Sequence, residues 1–127
     1  MLIKSKNLLN SNIIGLISVY SSSNNTIINV SNIQFKTLLS GSTGMLGLKG
    51  SSKSTFYAGQ SVGNVFSKKL LAMGIKYVLI KIKGFSFNRS RYSSIEGISM
   101  AGLKILSIQD VTPTPFNGCR LSKKRRI

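Results

Sequence analysis

Histidine and tryptophan are absent from this 127-residue chain, and acidic residues nearly so, with only Glu96 and Asp110 present. Each shortage removes a class of chemistry. General acid–base catalysis near neutral pH draws on His, Asp or Glu, so an inventory this thin points away from an enzyme. A nuclease working through two metal ions would need a cluster of carboxylates, which the chain cannot assemble. The single cysteine, Cys119, cannot close an internal disulfide and is expected to be packed. Without histidine a transition-metal site is not expected, and no cofactor is expected. No run of about 18 apolar residues is available to span a bilayer, and no membrane partner is expected. Residues 1–12 place Lys4 and Lys6 among Leu and Asn, with neither the apolar stretch of a signal peptide nor the Arg-rich pattern of a transit peptide. They are read as a polar leader on a chain that works in the compartment where it is made.

Against two carboxylates stand 18 Lys and Arg, a formal charge of +16, while 42% hydrophobic content is that of a folded domain. Such self-repulsion weakens the compact state unless a polyanion supplies counter-charge. Nucleic acid is the default partner.

Hydrophobic periodicity organises the chain into a leader (1–12), an α/β domain (13–110) and an extended basic tail (111–127). Ile13 to Tyr20 and Thr26 to Val30 read as two strands joined by Ser22-Ser23-Asn24-Asn25, an antiparallel hairpin. A third short strand is expected over Phe35 to Leu39. Gly41 to Ser54 reads as a loop, with glycine at 41, 44, 47 and 50. From Ser54 the period changes to 3.6, with Gly59, Val62, Val65, Phe66, Leu70 and Met73 on one face. Ser54 or Thr55 caps this helix of about twenty residues and Gly74 stops it. Tyr77 to Lys83 alternates as a strand with Val78, Ile80 and Ile82 inward. After a loop from Gly84 to Tyr92, Ser93-Ser94-Ile95-Glu96 has capping-box spacing and is expected to open a second helix, ending at Gly102. Leu103 to Ile108 is the last strand. Two strand–helix–strand steps imply parallel pairing, giving a mixed five-stranded sheet with helices packed on it.

Four places could contact nucleic acid. The Gly-rich loop scrambles the order of a Walker loop. Its Lys49, Lys53 and Ser54, before a helix N-terminus, still fit a phosphate, and also fit a plain Gly/Ser linker. Asn24 and Asn25 can read sugars or base edges from a hairpin tip, or simply form the turn. Phe85 to Tyr92 interleaves aromatics with Arg89 and Arg91, which suits stacking on unpaired bases as well as partial burial of Phe85 and Phe87. The tail delivers Lys123, Lys124, Arg125 and Arg126 after a segment stiffened by Pro113 and Pro115, with a tight turn at Asn117-Gly118 before Arg120.

The tail, Asp110-Val111-Thr112-Pro113-x-Pro115-x-Asn117-Gly118-Cys119-Arg120-x-x-Lys123-Lys124-Arg125-Arg126, resembles that of the bacterial-type small-subunit ribosomal protein "S-eleven" family. Asn24-Asn25-Thr26-Ile27, Lys53-Ser54-Thr55 with Ala58-x-Gln60, Lys83-Gly84 and Ala101-Gly102 match in the same order, so the resemblance runs from about Ser18 to the C-terminus. It implies an RNase-H-like three-layer α/β fold without catalytic acids. It also implies a structural role on the platform of the small ribosomal subunit, bound to ribosomal RNA near the mRNA exit path and beside other platform proteins. By the same match Asn24, Asn25, Lys53 and the tail cations touch RNA. The chain departs from the family in a loop after Lys83-Gly84 longer by two residues, in Phe116 where the family often has His, and in Leu121-Ser122 for a Pro-Pro pair. With the Ile/Asn/Ser-rich composition, this drift resembles a mitochondrial, organelle-encoded version more than a bacterial cytoplasmic or plastid one. The competing expectation is a general basic nucleic-acid-binding protein outside the ribosome.

Overall fold

A computed structural model describes residues 14–84 and 89–127. Strands β1 (Ile14–Ser21), β2 (Thr26–Asn32) and β3 (Thr37–Ser42) come first, then two short 3-10 helices, Thr43–Leu46 and Gly50–Ser54. Helix α1 (Phe56–Ala72), strand β4 (Tyr77–Gly84), helix α2 (Arg89–Met100) and strand β5 (Lys104–Asp110) complete the domain. The sheet order is β3-β2-β1-β4-β5, antiparallel on the β3 side of β1 and parallel on the β5 side. This is the expected mixed five-stranded sheet.

Strand alternation decides where the core lies. Ile17 and Val19 of β1, Ile28 and Val30 of β2, and Val78, Ile80 and Ile82 of β4 point to one face and are buried. The pairing aligns them, with Ile17 opposite both Val30 and Ile80, and Val19 opposite Ile28 and Ile82. Val62, Phe66 and Leu70 of α1 and Ile98 of α2 close over that face in one cluster. Both helices therefore lie on the same side of the sheet. Among the described residues the other side carries no helix, so these residues make two layers of the expected three.

The helices approach each other through small residues. A Cβ on Gly63 would stand 2.3 Å from the Ser94 carbonyl oxygen, and one on Gly97 2.2 Å from that of Gln60. Ser90, Ser93 and Ser94 of α2 are buried at this seam. Helix α1 starts as its cap residue dictates, Thr55 Oγ1 accepting from the Ala58 N–H at 3.3 Å. It ends at Gly74, whose φ of 86° is left-handed.

Several boundaries differ from the sequence reading for identifiable reasons. Strand β3 starts at Thr37 because Phe35 (φ 61°) belongs to a turn fixed by the Phe35 and Lys36 N–H groups, which donate to the Asn32 main-chain and side-chain oxygens. Gly41 and Ser42 belong to the strand instead of a loop, since Gly41 passes beneath Phe66, where a Cβ would lie 2.4 Å from the ring. Met73 is half-exposed at the C-cap, and the buried face of α1 runs through Ala58, Gly63 and Ser67 instead. The capping-box serine Ser93 is inside α2, donating to the Ser90 carbonyl, and the helix opens a full turn earlier at Arg89. Strand β5 extends to Asp110, and Cys119, expected to be packed, is exposed. Residues 85–88, with Phe85 and Phe87, lie outside the described residues, as does the leader.

Candidate nucleic-acid interface

Parallel pairing brings the carboxyl ends of β1, β4 and β5 to one rim, and the antiparallel partners add the start of β2 and the end of β3 there. The hairpin tip, the 3-10 segment, both helix N-termini and the root of the tail consequently meet along one edge. In open α/β sheets this is where ligands bind.

Side-chain hydrogen bonds tie these pieces together. Asn25 Oδ1 accepts from the Thr26 N–H at 2.9 Å and from the Thr43 hydroxyl, joining the hairpin tip to the first 3-10 helix. Lys53 runs alongside the same segment, its Cδ 3.9 Å from where a Gly44 Cβ would be. At the hairpin base, the Thr26 and Ser90 hydroxyls meet at 2.7 Å and those of Ser21 and Ser90 at 3.2 Å, which locks β1 and β2 to the first turn of α2. The two helix N-termini are adjacent, since a Cβ on Gly59 would strike Ser90 and Ser93. Their partial positive charges therefore point the same way, toward the rim.

The expected site residues divide accordingly. Asn24 is exposed at the tip, whereas Asn25 is half-buried with its carbonyl oxygen engaged in the fold. Lys53 and Ser54 are half-buried and Lys49 is exposed, with Ser54 Oγ donating to the Ser51 carbonyl at 3.0 Å. Arg89 is exposed on the first turn of α2, next to Tyr92 on the same turn. Arg91 is turned inward, only 4% exposed. It donates to the Gly84 carbonyl at 3.3 Å and pairs with Asp110, so its guanidinium is used inside the protein and not offered to a phosphate.

The Arg91 pair belongs to a clasp that sequence reasoning missed. Asp110 Oδ1 accepts from the Thr112 N–H at 3.0 Å and from its hydroxyl at 2.6 Å. The Gly84 N–H donates to Thr112 Oγ1 at 3.2 Å, and the Val111 N–H to the Ile82 carbonyl at 2.9 Å. Hydrogen bonds from Thr112 and then the Arg91 guanidinium hold the Asp110 carboxyl at a pKa of about 2, well below the usual range. Gly84 (φ 122°) is required here, because any Cβ would lie 2.0 Å from the Ser21 carbonyl oxygen. The readable signal was the Asp-x-Thr spacing, a side-chain turn. Its arginine partner has no sequence signal.

The clasp gives the tail a fixed point of departure at the rim. Beyond it every residue from Val111 to Ile127 is exposed, including Asn117 (φ 53°), Gly118, Arg120, Lys123, Lys124, Arg125 and Arg126. Seventeen residues, if fully extended, would span at most roughly 55 Å, about twice the length of the domain's longest strands. One of the two carboxylates is neutralised by Arg91 and the other, Glu96, sits on α2 away from its first turn. The rim is therefore a surface of amides, hydroxyls, lysines and helix N-termini, the chemistry that holds phosphates.

The family model described as ribosomal protein S11 matches residues 15–126. The chain is 42% identical over 103 residues to the small ribosomal subunit protein uS11m of Marchantia polymorpha, covering 81% of each chain. It is 41% identical over 113 residues to uS11 of Kosmotoga olearia, covering 89% of this chain and 85% of that one. With uS11c of Trieres chinensis the identity is 39% over 118 residues, covering 93% and 89%. A family match over nearly the whole chain, with relatives this similar, establishes that the protein belongs to the ribosomal protein S11 family.

Proposed function

We propose that this protein is a structural, non-enzymatic component of the small ribosomal subunit that binds ribosomal RNA through the rim and the tail. The observation that carries the reading is the convergence of Asn24, Asn25, Lys53, Ser54, Arg89 and the tail root on one edge. Asn24 and Asn25 present amides to sugar and base edges, while Lys49, Lys53 and Arg89 neutralise phosphates around the helix N-termini. The tail lies along the RNA, with Asn117-Gly118 turning it and Arg120, Lys123, Lys124, Arg125 and Arg126 releasing condensed counterions. Arg91 acts indirectly, by aiming the tail. A place on the platform near the mRNA exit path, beside other platform proteins, is what the tail motif implies.

For the compartment, the composition and the drift in the tail motif support a mitochondrial ribosome. Mitochondrial, plastid and bacterial relatives are about equally similar, so identity does not choose among them.

Truncation after Leu121 tests the tail. Loss of four cations should weaken RNA binding and flatten the slope of log K against log salt by roughly three. An unchanged slope would remove the tail from the interface.

A further inference from the structure

The face of the sheet opposite the helices is left open by the described residues, and its side chains form ordered rows. Tyr20 stands between Lys83 on β4 and Ile27 on β2, its register partners on either side. One row down, Ser18 stands between Lys81 and Asn29, with Ser40 and Gln109 beyond them. Neighbouring strands are about 4.8 Å apart, so these side chains touch or nearly touch along each row. Tyr20 is 44% exposed and Ile27 40%, and Lys83 is exposed beside them. Asn29 Oδ1 is buried with no hydrogen-bond partner among the described residues, an acceptor the fold leaves uncommitted.

An aromatic ring and an isoleucine held out on the open face by a packed strand cost exposed apolar area. Two lysines of β4, Lys83 beside the ring and Lys81 one row down, line one side of it, and no carboxylate shares the open rows of β1, β2 and β4. Tyr20 is one residue from the rim, so the patch continues the surface that carries the hairpin tip and the root of the tail. From this charge complementarity and continuity we infer that the open face is a second RNA contact, a platform for an unpaired nucleotide. The base stacks on Tyr20 over the Ile27 shelf while Lys83 and Lys81 take the flanking phosphates. A duplex has its bases stacked internally and gains nothing from the ring. The inference rests on the rRNA-binding reading above but names a different surface, an unpaired target and its own residues.

The test compares the full chain with Tyr20→Leu and Tyr20→Phe for binding to a twelve-nucleotide oligouridylate and to an RNA duplex of the same length. Leucine keeps the apolar area of the strand but cannot stack, so Tyr20→Leu should bind the oligouridylate about tenfold more weakly. Its duplex affinity and melting temperature should stay unchanged, and Tyr20→Phe should match the parent. Lys83→Gln should lower the salt slope for the single strand by about 0.7. Photocrosslinking of 5-iodouridine oligomers to the unmodified chain should give an adduct at Tyr20. Unchanged single-strand affinity in Tyr20→Leu with no adduct at Tyr20 would overturn the platform, even if tail truncation still weakened binding. Equal loss for both RNAs would overturn stacking as its mechanism, and indifference to both Tyr20→Leu and tail truncation would sink the rRNA reading as well.

Discussion

Replacing the Asp110 carboxylate by a neutral amide leaves the inward-turned Arg91 guanidinium without its counter-charge and takes the charge out of the acceptor that holds Thr112. Asp110→Asn should therefore lower the melting temperature at neutral pH and loosen the tail root. The sign with pH follows from the depressed pKa. A carboxyl at about 2 in the folded protein and near 3.8 in the open chain contributes stability above about pH 4, which is lost as pH falls toward 2. The gap between parent and Asp110→Asn should close over that window, and thermal melts at several pH values would show it. A gap that stayed constant down to pH 2 would mean that Asp110 is not the linked group. In the sequence Asp110 is visible only through the tail motif and its Asp-x-Thr spacing. Its role depends on an arginine nineteen positions earlier, brought close by α2 and β5.

The helix pair shows the same division at the scale of elements. The periodicity of Val62, Phe66 and Leu70 suffices to place α1, because a 3.6-residue repeat admits one buried stripe. The start of α2 was not legible, since Ser-x-x-Glu spacing fits a cap but the serines are needed as small residues in the seam. That seam predicts the outcome of Gly63→Ala. Alanine is intrinsically better than glycine in a helix by about 1 kcal/mol. The new Cβ would nevertheless meet the Ser94 backbone at 2.3 Å, and overpacking of this kind costs about 1–3 kcal/mol. The variant should be less stable on balance, by a few degrees in melting temperature. Gly74→Asn, at the left-handed helix stop where nothing crowds a Cβ, should leave the melting temperature nearly unchanged.

For the whole molecule, +16 charges on a domain with an extended, fully exposed tail describe a protein completed by its partner. Sedimentation of native lysate from the source cells at low and moderate salt is the direct check. The chain should travel with the small ribosomal subunit and stay there as salt rises, because the folded rim adds contacts to the screened tail charges. Recovery at the top of the gradient, or with DNA, would favour the general nucleic-acid-binding alternative.

Sequence alone determined the inventory and the local rules. It set the excess of cations, the shortage of catalytic side chains, the hairpin, the α1 stripe, the inward face of β4 and the basic tail, all properties of composition, of local turn chemistry or of periods no longer than a helix turn. Only the tertiary structure decided which distant residues became neighbours. The β3-β2-β1-β4-β5 order carried the hairpin tip, Lys53, Arg89 and the tail root to one rim, turned Arg91 inward to hold Asp110, and left Tyr20 between Lys83 and Ile27 on an open face. The physical reason is that strand pairing and helix packing join segments tens of residues apart, and such adjacency has no period for a linear reading to detect.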